Sequence, residues 1–118
     1  MRTIVAGSRK WTDVGVVRGA IDMAPWPITA IHHGGCTGVD TIADEYAKEL
    51  GFVPVQFVAD WVRFGKPAGP MRNEEMAKNS DALVLIWDGT SSGSASMLRF
   101  AQEYGLMILD VRLTRKNN

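Results

Sequence analysis

Residues 80–96 read Ser80-Asp-Ala-Leu-Val-Leu-Ile-Trp-Asp-Gly-Thr-Ser-Ser-Gly-Ser-Ala-Ser96, an unbroken apolar run followed by small polar residues. The apolar part, residues 82–87, is typical of a strand covered on both faces, as in a parallel sheet. The small-residue loop then leads into a helical pattern, and loops of this kind at the carboxyl ends of parallel strands bind ligands. Because N–H groups at a helix start favour anions, the segment predicts a strand with a phosphate-binding loop.

The rest of the chain alternates strands and helices around this segment. Apolar runs predict four more strands at residues 3–6, 28–33, 52–58 and 106–110, and Pro54 favours a sheet edge for the third. Helical spacing predicts helices after the capping residue Asp13, from about Val39, from Pro70 to about Asn79, and after the loop that follows the central strand. This alternation predicts a doubly wound α/β fold with a mostly parallel five-stranded sheet in the order 3-2-1-4-5.

Length and composition indicate one domain, predicted over residues 1–111, with a polar tail at 112–118. The 13 basic and 13 acidic side chains balance, which argues against a broad nucleic-acid or membrane surface. The single cysteine, Cys36, excludes an intramolecular disulfide, and no apolar run approaches the roughly 20 residues that span a bilayer. Since the start of the chain does not resemble a signal peptide, we expect a cytoplasmic protein.

Three loops of small residues are expected to meet in one crevice at the carboxyl ends of strands 1, 2 and 4. Gly7-Ser8-Arg9 offers backbone N–H groups and a guanidinium to a phosphate, or forms a tight turn with an exposed arginine. Gly34-Gly35-Cys36-Thr37-Gly38 contains three glycines, which allow a ligand to approach the backbone closely. Asp88-Gly89-Thr90-Ser91-Ser92-Gly93-Ser94 can hold phosphate or ribose through its amides and hydroxyls.

Each of four residues near these loops has two interpretations that remain open. Asp40, three residues after Thr37, either caps the second helix in a variant capping box or accepts a hydrogen bond from a ribose hydroxyl. Trp61 either stacks on a base or packs locally, and Lys66 and Arg72 either pair with phosphate or are solvated cations.

Neither the cysteine nor the histidines indicate a reactive or metal site. Cys36 is expected to fill space, because the sequence places no base beside it. His32 and His33 are adjacent at the end of a strand and point to opposite faces, so no metal site is predicted.

Together these residues resemble the YspA/YpsA-type branch of the SLOG superfamily, in the same order along nearly the whole chain. The matching segments are Gly7–Arg9, His33–Asp40, Asp60-Trp61, Gly65-Lys66, Ala68–Asn73, Met76, Ser80-Asp81 and Trp87–Gly93. The resemblance implies a Rossmann-like domain related to the lonely-guy phosphoribohydrolases and to the DprA family. It also implies binding of a nucleotide-derived ligand such as a nucleoside phosphate, NAD or an ADP-ribose derivative, and a possible homodimer or higher homo-oligomer.

The chain departs from the lonely-guy enzymes at the residue that matters for catalysis. Arg72 matches the arginine that these enzymes carry before the fourth strand. After that strand they carry the motif Pro-Gly-Gly-x-Gly-Thr-x-x-Glu. Gly93-Ser94 stands in the place of its Gly-Thr, so the position of its glutamate is Met97 in this chain. A methionine cannot act as a general acid or base or stabilise an oxocarbenium ion. The resemblance therefore implies sensing or sequestering of the ligand rather than hydrolysis.

The alternative is a nucleotide-processing hydrolase or transferase with a substitute carboxylate, for which the candidate catalytic residues are Arg72, Asp88 and Asp40, with Asp60 a further carboxylate. A DprA-like role with single-stranded nucleic acid is disfavoured by the zero net charge. No cofactor is identified beyond the nucleotide-derived ligand. The residues predicted to bind this ligand are Gly7, Ser8, Arg9, Gly34, Gly35, Thr37, Gly38, Asp40, Trp61, Lys66, Arg72, Asn73, Asp88, Gly89, Thr90, Ser92, Gly93 and Ser94.

Overall fold

Strands and helices alternate along the chain in the computed structural model, which describes residues 1–11 and 13–113. The elements, in chain order, are β1 (Arg2–Gly7), α1 (Val14–Asp22), β2 (Ala30–His33), α2 (Val39–Glu49), β3 (Val55–Gln56), α3 (Trp61–Phe64), α4 (Ala68–Lys78), β4 (Ala82–Trp87), α5 (Ser92–Glu103) and β5 (Met107–Arg112). No helix among the described residues is long and apolar enough to cross a membrane.

The five strands form one sheet in the order β3-β2-β1-β4-β5, and every pairing is parallel. All six residues of β4 are buried, because helices cover both faces of the sheet. Val84 and Ile86 pack on the side of α1 and α2, whereas Leu83 and Leu85 pack on the side of α4 and α5. The predicted doubly wound α/β fold and its strand order are confirmed.

Several element boundaries differ from those predicted, and three of the differences have a clear consequence or cause. The third strand is reduced to two residues at the sheet edge, where Pro54 has no N–H to donate to a ladder. Helix α4 begins at Ala68, two residues before Pro70, and a proline is tolerated there because the first helical N–H groups have no intrahelical partner. The last strand extends through Arg112, into the predicted tail; residues 114–118 of that tail lie outside the described residues.

Local hydrogen bonds show why α1 and α3 begin where they do. The Asp13 carboxylate accepts a hydrogen bond from the Val16 amide and caps α1, as predicted. The short helix α3 lies in a segment for which the sequence predicted no regular structure, and Asp60 caps it by accepting from the Arg63 amide at 3.1 Å.

The predicted capping box at the start of α2 is wrong. Gly38 occupies the N-cap position with φ of 76°, and no side chain caps the helix. A side chain at Gly38 would lie 2.5 Å from the Arg9 carbonyl oxygen, so only glycine allows the β1 loop to approach this closely.

Candidate functional site

The loops after β1, β2 and β4 converge at the carboxyl edge of the sheet and enclose a cleft of about 650 Å³, here called the main cleft. Its volume lies in the range typical of small-molecule sites. Helix α4 and the first turn of α5 complete the walls. The predicted residues that line the main cleft are Gly7, Ser8, Arg9, Gly34, Asp40, Trp61, Lys66, Arg72, Asn73, Asp88, Thr90, Ser92, Gly93 and Ser94.

Four of the predicted residues lie elsewhere. Gly35 and Thr37 line a smaller adjoining cavity of about 370 Å³, here called the side cavity. Gly38 and Gly89 line neither cavity. Gly38 instead packs against the backbone of the β1 loop, and Gly89 has φ of 88° in the turn that follows β4. Gly38 and Gly89 therefore allow the turns that shape these loops and do not contact the cavities.

The main cleft is positively charged although the whole chain has no net charge. Four cationic side chains line it, Arg9, Lys10, Lys66 and Arg72, against the two carboxyl groups of Asp40 and Asp88. A concave surface with an excess of one charge concentrates its field. The cleft therefore suits an anionic ligand.

Arg72 is held in a fixed orientation at the wall of the cleft. Its Nη1 donates to the Gly34 carbonyl oxygen at 2.8 Å, and its Nε donates to the Asn73 side-chain oxygen at 3.0 Å. The guanidinium pairs with no carboxylate among the described residues, and its Nη2 donates no hydrogen bond to them. A pre-oriented guanidinium with free donors is suited to binding a phosphate.

Asn73 connects Arg72 to the loop after β4. Its side chain is 6% exposed, and its amide nitrogen lies 3.4 Å from both the Gly93 carbonyl oxygen and the Ser96 hydroxyl. These contacts tie α4 to the first turns of α5.

Asp40 organises the loop after β2 from within. It is 4% exposed, and its Oδ2 accepts hydrogen bonds from the Gly34 amide at 3.0 Å and the Cys36 amide at 3.2 Å. Burial raises the pKa of Asp40 above its ordinary value, against the lowering effect of these hydrogen bonds and of the nearby His33 and Arg72. Its Oδ1 accepts no hydrogen bond from the described residues, and the residue lines the main cleft.

His33 supports the same loop from behind and was not predicted to do so. Its Nδ1 accepts from the Gly35 amide at 3.0 Å, so the proton resides on Nε2, which donates to Asp44 at 2.7 Å. Lys48 also pairs with Asp44, and that contact, together with His33, lowers the pKa of the carboxyl group. His32 points the other way and bonds the Ser80 hydroxyl, which confirms that the two histidines face opposite sides.

The loop after β4 is rigidified by its own side chains. Asp88 Oδ1 accepts from the Thr90 amide at 2.9 Å and from the Thr90 hydroxyl at 2.8 Å, and these bonds lower the pKa of Asp88. Ser91 is the N-cap of α5, and its hydroxyl accepts from the Ser94 amide. The first turn of this 12-residue helix lines the main cleft, where its N–H groups favour an anion.

Trp61 forms a wall shared by the two cavities. The side chain is 50% exposed, and its ring lies 3.0 Å from where a Cβ on Gly69 would be. Gly69 thus lets α4 pack beside the indole, and Trp61 remains half-exposed where it lines both cavities.

Lys10 and Ser96 line the main cleft but are not among the predicted ligand-binding residues, whereas Ser91 lies in the predicted loop after β4 and Met97 stands at the position of the absent glutamate. Ser96 and Met97 follow Ser92 and Gly93 by four residues, the spacing that places residues on one face of a helix. This helical spacing in the sequence indicates that Ser96 and Met97 lie on the same face of α5 as the predicted residues Ser92 and Gly93. Met97 is 1% exposed and lines the cleft at the position where the resemblance places a catalytic glutamate.

No group of three or more histidine, cysteine, aspartate or glutamate side chains within residues 1–11 and 13–113 is arranged to hold a metal ion.

Substitutions of Asp40 are expected to separate the effect of its hydrogen bonds on stability from the effect of its buried charge. Asp40→Ala leaves the Gly34 and Cys36 amides without their acceptor and should lower the free energy of unfolding by about 1–3 kcal/mol. Asp40→Asn keeps an acceptor oxygen and removes the buried charge. Urea denaturation at pH 7 should therefore show Asn equal to or more stable than the wild type.

The difference in stability between the wild type and Asp40→Asn is expected to depend on pH. Because the pKa of Asp40 is raised in the folded state, wild-type stability falls as pH rises from the ordinary aspartate pKa to the raised one. The advantage of Asp40→Asn should thus be present at pH 7 and disappear below about pH 4. Equal destabilisation by Asn and Ala at pH 7 would mean that the charge itself holds the loop.

Two comparisons with known proteins give significant matches. The family model described as YAcAr, the YspA, cpYpsA-related SLOG family, matches residues 1–64. The chain is also similar to the Gene 61 protein of Mycobacterium phage D29, with 34% identity over 119 aligned positions that cover 92% of this chain and 94% of that protein. No solved structure shows significant similarity to the chain.

Proposed function

Because the chain belongs to the YspA, cpYpsA-related SLOG family, we propose that it binds a small nucleotide-derived ligand in the main cleft. Membership in this family suggests nucleotide-related binding or processing. The observation that carries the proposal is the fixed guanidinium of Arg72 beside three small-residue loops at the carboxyl edge of a parallel sheet.

The parts of a nucleotide match different parts of the cleft. Phosphate oxygens suit Arg72 and the first-turn amides of α5. A ribose hydroxyl suits Asp40 Oδ1, which accepts no hydrogen bond from the described residues. A base suits the half-exposed indole of Trp61.

Binding without turnover is favoured by the side chain at position 97. Met97 lines the cleft where a carboxylate would be needed for cleavage of an N-glycosidic bond, and it packs with Met76 in the core. We therefore propose that the protein senses or sequesters its ligand.

The experiment is a thermal unfolding series with AMP, ADP, NAD and ADP-ribose, together with the corresponding guanine and uridine nucleotides. A ligand at a hundredfold excess over its Kd should stabilise the fold by about 2.7 kcal/mol. Adenosine and inorganic phosphate are the controls, and each should stabilise less than the nucleotide that contains both. An unchanged melting temperature with every nucleotide would refute the proposal.

A hydrolase or transferase is the second candidate, and one observation favours it. Asp40 lines the cleft with a raised pKa, whereas hydrogen bonds lower the pKa of Asp88, so the two carboxyl groups differ in proton affinity as an acid and a base would. Chromatography of the same incubations should reveal free base or ribose phosphate if this activity exists. Intact nucleotide after prolonged incubation would exclude it.

A further inference from the structure

We propose that the side cavity is a second subsite for the same ligand, which is therefore a nucleoside diphosphate whose terminal phosphate is esterified to a second sugar or nucleoside. This inference rests on the proposed function of the main cleft.

The two cavities adjoin each other. They share Arg9, Gly34, Cys36, Trp61 and Arg72 as walls. The side cavity extends from this shared wall, over the loop after β2, to the end of β3. A ligand seated at Arg72 can therefore extend in both directions.

The charges place the anionic part of the ligand at the junction. Arg9 and Arg72 are the charged side chains of the side cavity among the described residues, and both also line the main cleft. No carboxylate from the described residues lines the side cavity. Two guanidiniums at a shared wall match the two negative charges of a diphosphate that is esterified at both ends.

The remainder of the side cavity suits an uncharged polar group. Thr37 and Gln56 supply a hydroxyl and an amide. Val58 and Ala59 add apolar surface. Hydroxyl, amide and small apolar groups together fit a sugar or nucleoside better than a third phosphate.

Glycine at position 35 lets the Gln56 side chain lie against the loop after β2, where both residues line the side cavity. Gly35 has φ of 74°, and a Cβ there would overlap the Gln56 side chain. The amide of Gln56 can lie against the loop only because position 35 has no side chain.

The test compares nucleoside diphosphates with their own sugar esters by isothermal titration calorimetry. The pairs are ADP with ADP-ribose, UDP with UDP-glucose and GDP with GDP-mannose. For the nucleoside that binds, the sugar ester should bind at least about tenfold more tightly than the free diphosphate. Ala59→Trp, which fills the side cavity, should remove this advantage and leave the affinity for the free diphosphate unchanged.

The control is Val53→Trp, since Val53 lies outside both cavities and away from the phosphate-binding turn of α5. If Ala59→Trp does not fold, Val58→Trp tests the same subsite from its rim. Val58 is 77% exposed and Val53 is 83% exposed, so Val53→Trp is the control for this variant as well.

The outcomes separate this inference from the proposed function. Equal affinity for a diphosphate and its sugar ester, or equal weakening of both by Ala59→Trp, overturns the second subsite and leaves nucleotide binding standing. Failure of every nucleotide to bind overturns both.

Discussion

Arg72→Ala is expected to weaken nucleotide binding about 100-fold. The substitution removes a guanidinium that the Gly34 carbonyl and the Asn73 side chain hold in place at the junction of the two cavities. A charge-assisted, pre-oriented contact with phosphate contributes about 1.5–3 kcal/mol, and a hundredfold change in Kd corresponds to about 2.7 kcal/mol. Isothermal titration calorimetry with the nucleotide identified by thermal unfolding measures this loss.

Two further variants test whether the loss of affinity is specific to the Arg72 guanidinium. Arg72→Lys keeps the charge without the planar fork, so its affinity should lie between those of the wild type and the alanine variant. Arg99→Ala removes an arginine that is 64% exposed and outside both cavities, and it should bind as the wild type does. If Arg72→Ala and Arg99→Ala bound equally well, the proposed placement of phosphate at Arg72 would be wrong.

Gly7→Ala is expected to destabilise the fold by about 3 kcal/mol or more. Gly7 lies opposite Ile86 where β1 pairs with β4, and a Cβ there would overlap the Ile86 carbonyl oxygen and lie 2.9 Å from Val39 Cγ2. The backbone atoms of paired strands cannot move aside as a flexible side chain can, so the substitution should disrupt the pairing of β1 with β4 at this end of the strands. The free energy of unfolding in urea measures the effect.

The matched control is Gly19→Ala, the same substitution in α1. No atom lies within 4 Å of a Cβ at that position, and alanine is preferred over glycine inside a helix by about 0.5–1 kcal/mol. We expect Gly19→Ala to be slightly stabilising. A Gly7→Ala protein as stable as the wild type would contradict the close approach of β1 to β4.

The sheet was predictable because its signal is local. The apolar run at residues 82–87 requires cover on both faces, and alternation with helices then leaves few topologies. The third strand was predicted too long for a physical reason. Val53, Val55 and Val58 are apolar in sequence yet 83%, 42% and 77% exposed, and a sequence does not state which strand will lie at an uncovered edge.

The position of the candidate site could be predicted because it depends on strand order. The directions in which its side chains point could not be predicted from the sequence. Convergence of the three loops follows from strand order. That Asp40 turns back to the Gly34 and Cys36 amides, instead of capping α2, depends on the path of the whole loop. The side cavity, likewise, includes a contact between residues 38 positions apart in the chain, because Arg72 on α4 reaches across to Gly34 in its wall.

The position of β1 between β2 and β4 has a consequence for the order in which the protein can fold. A nascent chain that ends after α3 contains β1, β2 and β3 but leaves one side of β1 unpaired and one face of the sheet without α4 and α5. Closure brings together residues as distant as Arg2 and Asp81, which are 79 positions apart, and such non-local pairing slows folding. The loops after β1 and β2 therefore gain their final positions only when the second half of the chain has been synthesised.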